Sequence, residues 1–240
     1  EDVRRQRTSN ADRMIVPASV IQLLLRCMKL QDPASLLHAQ RIAAISSGIS
    51  QLLGWDDEQR RSLEVAALLH VGKLGVPSHI LNKPGKLSSE EHDFVLMHHH
   101  AGVCLLQALH ADSDVVSMLT MIHEDFDSAG ILDGDTGSQT RVSLGSRILA
   151  VADAYDSLST PKAWRRGMTH PEIMTILDEQ AGTRYDGNVI STLNRWFETE
   201  SESLLRYGDP RHPELPVTDL NDRQRNEMVV VAQFINVLYQ

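Results

Sequence analysis

Residues 147–160 read RILAVADAYDSLST, and this stretch decides what kind of molecule the chain folds into. Apart from Asp153, Asp156 and Ser157, the run Ile148–Leu158 is apolar. No glycine or proline interrupts it, so a helix is expected over about 143–159, packed on most of its sides. A carboxylate inside such a helix is costly to bury unless it is paired or bound to a metal. The segment therefore predicts both a helical core and a polar site embedded in it.

Working outward, the same helical spacing recurs through the chain. Downstream, helices are expected at about 170–180 and 187–203. Upstream they are expected at 113–123, 89–109, from Asp56 or Asp57 to Leu69/His70, from Ser35 to Leu53, and along the apolar run Val20–Leu30. Boundary signals accompany them. Ser88 or Ser89 with Glu90 and Glu91 is a start signal, Gly54 a stop, and Asp32-Pro33 ends one helix or re-initiates the next. Alternating apolar runs of strand type are almost absent, so the fold class is all-α. Residues 1–16 read as a linker or arm and 17–207 as the domain. The Pro-, Asp- and Gly-rich stretch after 207 reads as a linker to a C-terminal helix that ends the chain at 240.

The chain has 240 residues, 42% hydrophobic and 23% charged, with a formal net charge of −9. A core of good size is available without staples. The acidic balance argues against a DNA or RNA coat, which needs a basic face, but leaves room for a local basic pocket that takes one small nucleotide. Cys27 and Cys104 have no metal-finger spacing and are expected as buried thiols in a reducing compartment. No signal-peptide pattern opens the sequence, and no apolar run reaches the roughly 18 residues of a membrane span. A cytoplasmic domain is expected. The chain opens at Glu1 on a charged stretch, which reads as a fragment of a larger protein or as the result of processing.

Four groups of residues carry chemistry. His38 and Arg41 share a helix face. His70 ends an apolar helix beside a glycine turn with Lys73. His98-His99-His100 lies on one helix and His123-Glu124 follows on the next. Asp153 and Asp156 complete the set. Imidazoles and carboxylates converging from several helices are a normal way for a bundle to hold metal ions. The plainer alternative is that these histidines are partly exposed or bonded to the backbone.

Several segments, in order, resemble those of the HD-GYP family, a branch of the HD superfamily. LLHVGKLGVPSHILNKPG, ending at Gly85, looks like LLHDIGKIGIPxxILxKPG. LSSEEHDFVLMHHHAG over 87–102 resembles LTxEExxxMxxHxxxG, RILAVADAYDSLST is close to RILAVADxYDALT, and AGTRYD over 181–186 resembles GTxFD. The match spans about residues 20–198. It implies an HD-type helical bundle with additional helices. It also implies hydrolysis of cyclic di-GMP with two or three divalent ions, commonly iron or manganese. By the same resemblance His38, His70, His98, His123 and Asp153 match metal-ligand positions. Lys73 matches the signature lysine, and Lys162 and Arg165 match basic residues that meet substrate phosphates. An ordinary solvated turn is the alternative for the last two.

Three departures weaken the catalytic expectation. His70 is followed directly by Val71-Gly72-Lys73, so the His-Asp pair is incomplete. On one alignment the aspartate is deleted; on the other His70 occupies its place and Leu69 replaces the histidine. Ile122 stands where the family has the first histidine of His-His-Glu, and an alkyl group has no lone pair to donate. Asp127-Ser128-Ala129-Gly130-Ile131-Leu132 replaces the Asp-Gly-x-Gly-Tyr-Pro loop. The expected function is thus a degenerate signalling domain with no metal or a partial site. It would be inactive as a hydrolase and act as a regulatory module that binds cyclic di-GMP weakly. The alternative is a working metal-dependent phosphodiesterase for that or a related cyclic nucleotide. Other signalling domains, in the same or a partner chain, are the expected partners.

Val229, Val230, Phe234 and Leu238 form an apolar stripe with little chain after it to cover it. It either packs back on its own domain or joins two copies, and a homodimer is the expected state. Light scattering should give a dimer for the full chain and a monomer for a chain ending at residue 220; a monomer in both cases contradicts the expectation.

Overall fold

In a computed structural model, the described residues are 16–70, 80, 83, 85, 88–127, 142–161 and 165–207, with backbone alone at 18, 31, 92–99, 101 and 200–207. Among them every regular element is a helix: α1 (Ala18–Gln31), α2 (Pro33–Leu52), α3 (Asp57–Leu68), α4 (Ser89–Ala108), α5 (Ser113–Thr120), α6 (Leu144–Ser159), α7 (His170–Glu179) and α8 (Gly187–Tyr207). The all-α expectation holds, and each helix lies within a few residues of its expected place. The C-terminal stripe falls outside the described residues.

The boundaries follow from side chains that satisfy the unpaired amides of a first turn. Asp32 serves two helices. Its N–H donates to Met28 O at 2.8 Å, closing α1, and its carboxylate accepts from Ala34 N at 3.2 Å and Ser35 Oγ at 2.5 Å, opening α2. Pro33 sits at the first position of α2, where a missing N–H costs nothing. Reciprocal capping boxes start α3 (Asp56 with Gln59) and α4 (Ser88 with Glu91). Ser143 accepts from Ser146 N at 3.0 Å at the head of α6.

Helix α2 is the axis of the domain and packs against α1, α3, α6 and α8. Such all-round contact explains why every residue from Ile42 to Ser50 is buried and why so many of them are small. Close approach is decisive at Gly48, where a Cβ would lie 2.1 Å from Trp196 Cε2 of α8. Ile42 and Ile49 of α2 join Leu63, Leu106, Ile148, Leu149, Ile173 and Leu193 in one continuous core. The cysteines correct an expectation: Cys27 and Cys104 are free but exposed, on the outer faces of α1 and α4. Cys104 Sγ lies 3.5 Å from His100 Nε2, one helical turn away.

Two stability effects follow. Gly48→Ala gains roughly 1 kcal/mol of helix propensity but drives a methyl into the indole, so a net loss of about 1–3 kcal/mol is expected; chemical denaturation measures it, and a stabilised variant would contradict this packing. Half-buried Glu64 contacts Ser47 Oγ at 2.6 Å across α2 and α3. Burial raises its carboxyl above the ordinary carboxylate value, more than Ser47, Arg60 and Arg61 lower it. A raised acid favours the fold below the unfolded pKa, and that contribution fades as pH climbs through the folded one. Glu64→Gln should therefore raise Tm at pH 7 and leave it nearly unchanged at pH 4. A lower Tm at pH 7 would contradict the sign.

Candidate metal centre

Three of the sequence-predicted residues converge. His38 comes from the second turn of α2, His70 from the turn that follows α3, and Asp153 from α6. One donor atom from each lies within 4.8 Å of the others. Both histidines are buried and Asp153 is half-buried. His38 Nε2 lies 3.0 Å from Asp153 Oδ1. The His38 and His70 rings are 6.4 Å apart between centroids, and His70 is 6.0 Å from His123, which is exposed on the turn after α5. Leu69 is a core residue at 1% exposure, so the turn brings His70 and not Leu69 to the cluster. Ile122 likewise faces the core. Two imidazoles and one carboxylate are donors that suit iron, manganese or zinc. Three protein ligands that leave open positions are a familiar catalytic set. The donor set fits one divalent ion.

Asp156, which was singled out in the sequence but not assigned to the centre, sits directly behind it. At 1% exposure it accepts from His38 Nδ1 at 2.6 Å, from Arg41 Nη2 at 3.0 Å and from Arg41 Nε. Burial alone would push Asp156 up, but the hydrogen bonds and charges of His38 and Arg41 hold it below the ordinary carboxylate range. The opposite face of α6 is anchored too. Tyr155 Oη donates to His170 Nδ1 at 3.1 Å, and His170 Nε2 donates to Asn194 Oδ1 at 3.0 Å.

A cleft of about 380 Å³ opens beside the cluster, with Asp153 and His123 in its lining. Arg184 and Tyr185 also line it, on the 181–186 turn. This turn is tied to the segment after His123: Phe126 N–H donates to Arg184 O at 3.1 Å and Asp127 N–H to Thr183 O at 2.9 Å. Arg147 of α6 secures both sides, pairing with Asp186 at 2.5 Å and lying 5.7 Å over the Phe126 ring. Glu124, Asp125 and Asp153 give the lining three carboxylates against one guanidinium, Arg184, among the described residues. Such a wall repels phosphodiesters unless a cation is held there.

The described basic candidates are turned to other partners. Arg165 donates from Nη1 to Leu158 O and from Nη2 to Ser157 O, both at 2.8 Å, so its guanidinium closes the last turn of α6. Arg166 pairs at the surface with Glu172. Lys73 and Lys162, and the side chain of His98 on α4, lie outside the described residues.

Comparison with known proteins gives this geometry a context. A family model described as HD domain matches residues 22–189. A cyclic di-GMP phosphodiesterase response regulator of Xanthomonas campestris, RpfG, is 30% identical over 72% of this chain and 46% of its own length. A 3′3′-cGAMP-specific phosphodiesterase of Vibrio cholerae is 28% identical over 74% of this chain and 41% of its own length. The chain thus spans less than half the length of these two relatives. Among solved structures, the HD domain of the Listeria monocytogenes phosphodiesterase PgpH, in complex with cyclic-di-AMP, superposes with a TM-score of 0.55 at 15% identity, over 76% of this chain and 96% of that one. A cyclic GMP-AMP specific phosphodiesterase of V. cholerae gives 0.56 at 15% identity, over 90% of this chain and 58% of that one. These two likenesses concern the fold. No described helix is long and apolar enough to cross a membrane. From the matched span and the helical bundle around His38, His70 and Asp153, the chain belongs to the HD domain family.

Proposed function

We propose that this chain is a cyclic-dinucleotide-binding HD domain with a reduced centre. His38, His70 and Asp153 hold one divalent ion, iron or manganese, and hydrolysis stays near background. The observation that carries the reading is the composition of the cluster: three donors within 4.8 Å. Val71 follows His70 where an aspartate would add a bridging ligand, and Ile122 is committed to the core. The ligand class comes from the relatives, which are named as phosphodiesterases of cyclic di-GMP and 3′3′-cGAMP.

When bound, a divalent ion supplies a positive centre that stabilises charge on phosphodiester oxygens. The chain's own residues do the rest. Arg184, on its tied turn, offers a planar cation to a phosphate at the cleft. Lys73 and Lys162 are proposed as further phosphate contacts on the strength of the sequence resemblance. Arg165 joins them only if it leaves the Ser157 and Leu158 carbonyls. Glu124 and Asp125 oppose anion binding, so affinity depends on the ion and stays modest. The output of such a domain is regulatory, through a partner signalling domain or a second copy of the chain.

A second reading, a working metal phosphodiesterase, is favoured by one observation: His123 stands beside His70, at the mouth of the cleft. One assay separates the two. With iron or manganese supplied, turnover of cyclic di-GMP or bis(p-nitrophenyl) phosphate should stay near background. Cyclic di-GMP should bind with Kd on the order of 10 μM or weaker, equivalent to roughly 7 kcal/mol or less, and less tightly as salt rises. Clear hydrolysis that is lost in His70→Ala and Asp153→Ala would establish the second reading. No binding at millimolar nucleotide would leave only a protein-interaction role.

A further inference from the structure

We propose that Asp156, clamped by Arg41, is the positioning residue of the centre: it fixes the His38 ring so that Nε2 presents its lone pair to the metal. This rests on the reading that His38, His70 and Asp153 hold an ion. The seam between α2 and α6 supplies the argument. His38 and Arg41 are three residues apart on α2, and Asp153 and Asp156 three apart on α6, so each pair shares a helix face. His38 reaches both aspartates, Asp153 from Nε2 and Asp156 from Nδ1. Arg41 reaches Asp156 with two nitrogens and Thr160 Oγ1 with Nη2 at 3.1 Å.

The roles of the two carboxylates follow from their surroundings. Asp153 is half-buried and lines the cleft. Asp156 is buried and takes three donors on its two oxygens, one from His38 and two from Arg41. Both oxygens are turned to His38 and Arg41, away from the cleft that Asp153 lines, so Asp156 acts through His38. With the Asp156 carboxylate as acceptor at 2.6 Å, the ring proton sits on Nδ1, and in a metal-loaded ring this leaves Nε2 as the donor atom. Thr160, at the end of α6, anchors the same guanidinium, so the clamp also fixes the rotation of α6 that aims Asp153.

The test uses Zn²⁺ as the probe, with affinity measured by chelator competition on the whole chain. Removal of such an outer partner weakens metal affinity on the order of 10–100-fold, and that loss is expected for Asp156→Ala. Asp156→Asn keeps one acceptor and should lose less. Melting in EDTA reports folding separately, and if Asp156→Ala does not fold, Asp156→Asn decides the question. Two-bond ¹H–¹⁵N spectra of the Zn²⁺-loaded protein should show His38 protonated at Nδ1, its resonance held downfield by the carboxylate and moving upfield in Asp156→Asn. A folded variant that binds Zn²⁺ as tightly as wild type, or a His38 bearing its proton on Nε2, overturns the positioning role while the metal site stands. Wild type that takes up no Zn²⁺ overturns the metal reading itself, and this inference with it.

Discussion

Asp156 is a carboxylate in an apolar helix, and it remains charged because His38 and Arg41 reach it from the neighbouring helix. Burying a charge without partners is prohibitive, and breaking one side of a buried pair costs on the order of 3–5 kcal/mol. The seam between α2 and α6 is therefore fixed in register, in a way that apolar packing alone would not achieve. Everything at the candidate centre hangs from that register. It sets where His38 points and how Asp153 is aimed.

The rest of the bundle makes the seam possible. Helix α2 can stand at the centre because its middle is built from alanine, serine and glycine, which let α8 approach through Trp196. Capping by Asp32, Asp56, Ser88 and Ser143 satisfies first-turn amides at four helix starts, which are thereby defined by short-range chemistry. His70 gains its place because α3 stops at Leu68: Leu69 turns into the core and the next side chain enters the site. Arg147 holds the far wall by bridging Asp186 and Phe126.

Much of this was legible in the sequence, for identifiable reasons. Helix positions follow from apolar spacing and from Asp32-Pro33, Gly54 and the Ser88–Glu91 signals, all local effects. The two acids in RILAVADAYDSLST announced a buried polar site, and the i,i+3 pairing of His38 with Arg41 announced the face that meets it. What sequence could not assign is how the acids divide their roles, since that depends on which one meets Arg41 across the seam. Arg165 is a second case. Its sequence neighbourhood reads as basic and exposed, but proximity to the end of α6 gives its guanidinium two carbonyls to satisfy. The cysteines are a third, where a preference for burial gave way to the face of the helix on which each residue falls. The choice between deletion of the aspartate and replacement of the histidine at His70 turns on a single residue of register, which pattern matching does not resolve.

The central claim is that the centre has contracted to a single ion held by His38, His70 and Asp153. Metal content answers it most directly, measured by mass spectrometry on protein loaded without oxygen in excess iron or manganese and then freed of loosely bound ions. The account predicts one ion per chain, falling to none in His38→Ala. Two ions per chain would contradict it, because a second ion needs ligands that this reading holds to have been lost.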